Sequence, residues 1–478
     1  MNILNLLTSK PAKGSFFKII FNNNPITLNS MKLTNFTRLL FFALVILFSA
    51  QSCVKQGPMG LTGPAGKDGT NGVDANETCK MCHNPTKVDI IAEQFTLSKH
   101  EYGEAAFGEA GTVGCDPCHT QEGFKYVVKN NVSTVFTLNA ATGKYVNPYA
   151  TSSAAAYGPL TCGTCHSSIH NSYTSSDLPS LTTVAAVPMT MWGGAKTIDL
   201  KADGGQSNLC AKCHQPRPFT NALTGNVLDY AALASNPAGI VYDGNPAGKT
   251  NIIKPSYRTH THYGTVSAVY AGMGGVEFPG ALAYTSSQHP TVASCENCHM
   301  GPKGADSDMV GRAGGHSFSA VGNFSGCNMT GCHTTPISAS STTYWTNPRN
   351  EIKGLLATLA TKLSENGVEI MNKNGDSATN LWYGITTNNY DGYLNVYDPV
   401  TNPTAQTYNA SSFKYVGTPP STWTADQLAY NATLPVLTLT NAQMGAIINF
   451  QMCLREYSLG IHNYAYTKAL LTNSIAKL

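Results

Sequence analysis

Twelve of the fourteen cysteines fall in pairs, and each pair is followed directly by a histidine. Five groups share the spacing CxxCH: Cys79, Cys82 and His83; Cys115, Cys118 and His119; Cys162, Cys165 and His166; Cys210, Cys213 and His214; Cys295, Cys298 and His299. The sixth, CNMTGCH, sets four residues between Cys327 and Cys332 before His333. Two thiols so spaced can bond the vinyl groups on one edge of a porphyrin, and the next residue then lies beneath the iron as its proximal imidazole ligand. A lone CxxC would be ambiguous, because zinc ribbons, redox disulfides and iron-sulfur sites use it too. Neither zinc nor thioredoxin-like chemistry requires a histidine after every pair, and 13 histidines in 478 residues do not supply one by chance. The expectation is six covalently attached c-type haems, with a disulfide as the competing reading of the longer Cys327 to Cys332 loop.

Six histidines are proximal on this reading, which leaves His100, His170, His260, His262, His289, His316 and His462 for six distal positions. That near match predicts bis-His, six-coordinate iron throughout. Methionine axial ligands would raise the potential, but none is needed. Cys453 sits in an apolar helical pattern with Met444, Ile447, Ile448 and Leu454, and reads as a buried, inert thiol. No structural disulfide is expected.

The elements that must position these groups are short. From Cys79 to His333 each site has about 42 residues, so the porphyrins themselves would supply much of the core. The expected fold is mostly α with long irregular loops, organised around six haems and completed by C-terminal helices. Asn347 and Pro348 read as the N-cap and first residue of a helix, with Ile352, Leu355, Leu356, Leu359 and Leu363 at helical spacing and Gly367 closing it. Two further helices are predicted at about 441–458 and 464–476, separated by Gly460 to Asn463. Residues 380–438, rich in Tyr, Asn, Thr and Pro, read as an irregular insertion.

Ahead of the first motif the chain reads as an address. Lys32 and Arg38 precede the apolar run Leu39 to Ala50, which is too short to span a bilayer and matches the core of a secretory signal. The run ends at Ser49-Ala50-Gln51-Ser52-Cys53, which resembles a bacterial lipoprotein cleavage site with Cys53 as the lipidated residue, although Gln51 stands where a small or aliphatic residue is usual. The alternative is a plain signal peptide followed by a spare thiol. Met31 opens a signal of normal proportions and is the expected true start. Glycines then recur every third residue from Gly57 to Gly72, as in collagen, where only glycine fits the triple-helix axis. Six triplets without a trimerising partner predict an extended tether, with a trimeric stalk as the alternative. The division is thus a signal segment over 1–53, a tether over 54–76, a six-haem domain over 77–340, and a helical region over 341–478 packed on it.

Charge narrows the partners. Residues 1–53 hold five lysines and arginines and no acidic residue, so their removal takes the formal charge from +3 to −2. With no basic run elsewhere, nucleic acid is excluded as the expected partner. Only 12% of residues are charged, which suits an exported protein.

The fragments CAKCHQPR (Cys210 to Arg217), THTHYG (His260 and His262), SQHP before CENCHM (His289), GGHSF (His316) and GIHNYAY (His462) occur in an order that resembles the multihaem superfamily of pentahaem ammonia-forming nitrite reductases, octahaem hydroxylamine oxidoreductases and related electron-transfer cytochromes. The resemblance covers about residues 79–333 and the C-terminal helices. It implies that His289 serves the haem of His333, His316 that of His214, His462 that of His299, and His100 that of His166. It leaves His170, His260 and His262 open for the haems of His83 and His119; the choice made here is His262 for the His119 haem and His170 or His260 for the other. The reductases commonly carry Lys in place of the histidine in the motif matching CDPCH, whereas this chain has His119. Nor does a Tyr follow shortly after CAKCH, or a second His after His289.

The expected function is therefore electron transfer along six haems at a membrane or cell surface, in anaerobic or extracellular respiration. One alternative is a reductase of nitrite, hydroxylamine or a sulfur oxyanion with one open haem. Another is a haem-filament subunit, in which the seventh free histidine ligates a neighbouring copy. Implied partners are other cytochromes or quinol-linked donors, a terminal acceptor, a homo-oligomeric partner in the filament case, and a membrane through a lipid anchor. The expected location is the outer membrane, facing the periplasm or the cell surface.

Overall fold

The structure, a computed structural model, describes residues 88–102, 112–135, 137–139, 144–146, 149–151, 157–168, 180–218, 228–243, 260–302, 313–365, 369–371, 393–395, 408–409, 414–415 and 438–478. The chain divides after Gly72, and every described residue belongs to the Val73 to Leu478 unit. The signal segment with Cys53, the tether, the first motif (Cys79, Cys82, His83) and His170 lie outside the described residues.

Short helices dominate the motif region: α1 (Val88–Thr96), α2 (Lys99–Tyr102), α3 (Asp116–His119) and α4 (Gln121–Lys129). After the hairpin β1 (Thr137–Asn139) and β2 (Lys144–Val146) come α5 (Cys162–Cys165), β3 (Val187–Pro188), β4 (Thr197–Ile198), α6 (Ser207–Cys213), α7 (Tyr230–Ser235) and β5 (Ile240–Asp243). Then follow α8 (Val266–Tyr270), α9 (His289–Val292) and α10 (Cys295–His299). The C-terminal part holds α11 (Asn347–Glu365), the strands β6 (Glu369–Met371), β7 (Tyr393–Asn395), β8 (Tyr408–Asn409), β9 (Lys414–Tyr415) and β10 (Thr438–Thr440), then α12 (Asn441–Arg455) and α13 (Tyr464–Lys477). The described strands pair only two at a time and antiparallel; β10 joins β5, with a register shift between Leu439 and Thr440.

The core gathers where α11, α12 and α13 pack together. Ile352, Leu356 and Leu359 of α11 meet Ile447, Ile448 and Phe450 of α12 and Leu470 of α13, and Met189, Met191, Ile198 and Phe278 from the motif region join the same cluster. Every residue of α12 is buried, as befits a helix apolar on most of its circumference. Its polar side chains therefore need partners inside the protein.

Asparagines supply them by acting as surrogate backbone for the extended segment 271–288. The Asn449 amide accepts from Val276 N–H at 2.8 Å and donates to the Val276 carbonyl at 2.8 Å. Asn473 does the same for Leu282, at 3.2 and 2.8 Å. Asn463 accepts from Ser287 N–H at 2.9 Å and donates to the Tyr270 carbonyl at 3.1 Å. A segment with no strand partner thus satisfies its buried backbone against helices.

Two helix boundaries differ from expectation. Asn347 is helical (φ −64°, ψ −49°) and continues a π-type turn over Thr342–Thr346, so it is not an N-cap. The helix from Asn441 stops at Arg455 rather than near 458, because Tyr457 (φ 62°) and Leu459 (φ 57°) adopt the left-handed conformation that a helix cannot continue through. Gly367 and most of 380–438 lie outside the described residues.

Candidate functional site

A CxxCH group on one helical turn puts its members at i, i+3 and i+4, which share a face. The described CxxCH motifs are built this way. His119, His166 and His214 each donate a backbone N–H to the carbonyl of their motif's first cysteine, at 3.2, 3.0 and 2.9 Å, and His299 ends the helix that Cys295 begins. The turns before Cys162 and Cys295 carry capping boxes, from Thr161 with Thr164 and from Ser294 with Asn297, so residues inside and beside the motifs nucleate helices too short to form unaided. Cys327 and Cys332 lie instead in successive turns.

Each described motif histidine faces one histidine from outside the motifs. Ring centroids are 6.1 Å apart for His119 and His262, 6.4 Å for His166 and His316, 5.9 Å for His214 and His100, 6.1 Å for His299 and His462, and 6.2 Å for His333 and His289. Two imidazoles sharing one metal ion, at about 2.0 Å from each nitrogen, bring their centroids to about 6 Å. Ordinary ring contacts in this protein run from 4.9 Å (Phe324 and Trp345) to 6.4 Å (Tyr270 and His462), so separation alone decides little. The one-to-one pairing decides more, as do ring planes inclined anywhere from 15° to 78° at nearly constant distance. Rotation about a metal–nitrogen axis leaves inclination free.

Ring-nitrogen chemistry points the same way. His289 Nδ1 meets the Ile461 carbonyl at 2.8 Å and His299 Nδ1 meets the Phe318 carbonyl at 2.9 Å. A carbonyl only accepts, so in both rings Nδ1 carries a proton, and Nε2 is the nitrogen placed to meet a metal. Burial, with help from neighbouring His100 and His299, pushes His214 down to about 4. Burial, then Arg217, His119 and Arg455, takes His262 to about 3. These imidazoles are neutral at physiological pH, the form that ligates. Gly264 (φ 68°) lets backbone approach His214, since a Cβ there would stand 3.2 Å from Nδ1.

One of the histidines from outside the motifs has a different partner. His462 Nδ1 lies 2.5 Å from the Glu456 carboxylate, which is itself fully buried. Burial alone would raise the Glu456 carboxyl, but His462, Ser458 and Gly460 outweigh it and hold the group below its usual range. No arrangement of three or more His, Cys, Asp or Glu converges among the described residues, as a metal bound by protein alone would need. Pairs suffice where a macrocycle supplies the other ligands, and the thiols beside each described motif histidine can anchor one.

The motifs also touch one another. Cys118 Sγ meets the Lys212 carbonyl at 3.8 Å, the Cys118 and Cys213 thiols are close enough to perturb one another, and so are those of Cys210 and Cys295. Cys295 N–H donates to Ser207 Oγ at 3.0 Å, tying α10 to α6. The Cys210 to His214 motif therefore lies between the Cys115 and Cys295 motifs.

His289 beside His333 and His462 beside His299 are the pairs the superfamily resemblance implied, and His262 beside His119 is the choice made among His170, His260 and His262, which the resemblance left open. Two others exchange partners: His316 faces His166 rather than His214, and His100 faces His214 rather than His166. The cause is local. His316 N–H donates to Gln94 Oε1 at 3.0 Å, binding its turn to α1, and the Phe318 ring packs edge-on against His100 at 5.0 Å and His316 at 5.7 Å. His260 lies against Tyr263, and its Nδ1 accepts from His262 N–H at 3.0 Å. Cys453 is fully buried in α12. The residues that sequence reasoning missed are Glu456, Phe318, Gln94 and Arg455. Only the adjacent charges Arg455 and Glu456, at the end of an apolar helix, left a signal. No family model, curated protein or solved structure matches this chain.

Proposed function

We propose that this chain is an exported six-haem c-type cytochrome whose activity is electron transfer, with redox proteins as donor and acceptor. The observation that carries the reading is the pairing of every described motif histidine with one further histidine at 5.9–6.4 Å. Attached haem supplies one-electron exchange between ferric and ferrous iron. The chain's part is to anchor, ligate and juxtapose. Motif cysteines would hold each macrocycle by thioether bonds, the paired imidazoles at the described sites would ligate its iron, and neighbouring thiols such as Cys118 with Cys213 and Cys210 with Cys295 keep the anchors together. A second histidine facing each motif histidine among the described residues would leave no position for a substrate there, which favours a conduit over a reductase of nitrite, hydroxylamine or a sulfur oxyanion.

Intact mass of the mature protein, expressed with a haem-attachment system, should exceed the polypeptide by six haems, and Cys327→Ala with Cys332→Ala should remove one. Electron paramagnetic resonance of the oxidised protein should be wholly low-spin. A polypeptide without haem refutes the cytochrome reading; a high-spin haem with enzymatic turnover of nitrite or hydroxylamine replaces conduit by reductase.

A further inference from the structure

Arg455 and Glu456 are consecutive, buried and opposite in charge, and they address different histidine pairs. The Glu456 carboxylate bonds His462, which faces His299. The Arg455 guanidinium lies 4.2 Å from the Tyr263 ring, and that ring stands 5.8 Å from His262, which faces His119.

The turn after α12 is shaped around the carboxylate. Tyr457 (φ 62°), Leu459 (φ 57°) and Gly460 (φ 86°) are left-handed, a strained conformation for the two non-glycine residues. That strain delivers Ser458 N–H at 3.1 Å, Gly460 N–H at 2.9 Å and Ser458 Oγ at 2.5 Å to Glu456. Three donors besides His462 keep it an anion in the interior.

The surrounding charges follow the same division. Near the Cys295 to His299 motif stand Glu296 within it and Asp203, whose Oδ2 accepts from Ser207 N–H at 2.8 Å while Ser207 Oγ accepts from Cys295. With Glu456 these make three carboxylates, while the Arg349 guanidinium, whose Nε donates to the Ser458 carbonyl at 3.3 Å, stands near Glu456 as a counter-charge. Near the Cys115 to His119 motif stand Asp116 within it and Glu122 in the following helix, and the cations that act on His262 are Arg217 and Arg455, Arg217 donating its backbone N–H to the Thr261 carbonyl beside His262 at 3.0 Å.

We propose that Arg455 and Glu456 bias two haem sites in opposite directions, and this rests on the cytochrome reading. The carboxylate lowers the reduction potential at the Cys295 to His299 site, by making His462 a more basic ligand and by favouring ferric iron. The guanidinium raises it at the Cys115 to His119 site. Electrons then pass from the first to the second through the intervening Cys210 to His214 site. At each transfer one ferrous iron becomes ferric and the next ferric iron becomes ferrous, with no bond broken and no proton moved. An external one-electron donor refills the first site, and an external one-electron acceptor empties the last.

The test is a redox titration of the full haem-loaded protein followed by electron paramagnetic resonance. His462→Gly and His262→Gly each convert one low-spin signal to high-spin and so identify the two sites. In the unmodified protein the signal lost in His462→Gly should have the lower midpoint; the reverse order overturns the proposal without any charge variant having to fold. Glu456→Gln should raise that midpoint alone, Arg455→Gln should lower the other alone, and Glu456→Asp should stay near the unmodified value. Unmoved midpoints in folded variants, or both charges acting on one site, also overturn it. Failure of His462→Gly to create high-spin iron refutes instead the ligand assignment beneath it.

Discussion

At the scale of single residues, the exchange of partners between His100 and His316 makes the sharpest demand. Phe318 packs against both rings, and Gln94 ties the His316 turn to α1, so His316 reaches His166 and His100 is left to His214. His316→Gly should therefore create one high-spin haem. Combined with Cys162→Ala and Cys165→Ala, which remove the macrocycle at the His166 site, the same change should add no high-spin iron. A high-spin signal persisting in the triple variant would assign His316 to another haem. Burial pushes the His214 and His262 imidazoles down, and it acts on His100, His299 and His316 in the same direction. A low-dielectric site disfavours the imidazolium and so keeps the ligand form without help from a partner base.

Between elements, asparagine amides and one ion pair contribute unequally. Asn449 satisfies both buried backbone groups of Val276, and Asn449→Leu would leave both unpaired at a cost of about 1–3 kcal/mol each. The Lys468 to Glu351 pair joins α13 to α11 at 2.7 Å with both side chains more than a third exposed, so Glu351→Gln should cost under about 1 kcal/mol. Hydrogen bonds from Lys468 and Tyr464 hold the Glu351 carboxyl below its usual range. The unfolded state therefore binds the proton more tightly. The contribution of Glu351 is present above its unfolded pKa and is lost as pH falls through the folded one. Thermal unfolding of both variants, at neutral and acid pH and at low and high salt, checks this. Asn449→Leu should give much the larger drop at every condition, and only the Glu351→Gln difference should shrink with acid or salt.

For the whole molecule, the proposed reading has a lipid on Cys53 and the glycine-repeat tether beyond it hold the motif-bearing domain at a membrane surface. Cys53→Ala should move the protein from the membrane fraction to the soluble one, with its haem content unchanged. Undiminished retention, with no acyl mass on the mature N-terminus, would refute lipidation.

The motifs and the supply of histidines were legible in the chain because two thiols and an imidazole that are to act together at one site can be neighbours in sequence, as they are on the single helical turns of the described CxxCH motifs. The three long C-terminal helices were legible too, since their apolar spacing is a local property. Distal pairing was not. His100 and His214 stand more than a hundred residues apart, and their meeting depends on how α1, the His316 turn and Phe318 pack. Nor could the chain tell that Asn449, Asn463 and Asn473 would replace strand partners, because an amide's partner is whatever backbone the fold brings to it. Glu456 shows the limit most plainly. One carboxylate at a helix end reads as solvated surface, and only burial against the left-handed turn of 457–460 makes it the anion that His462 meets.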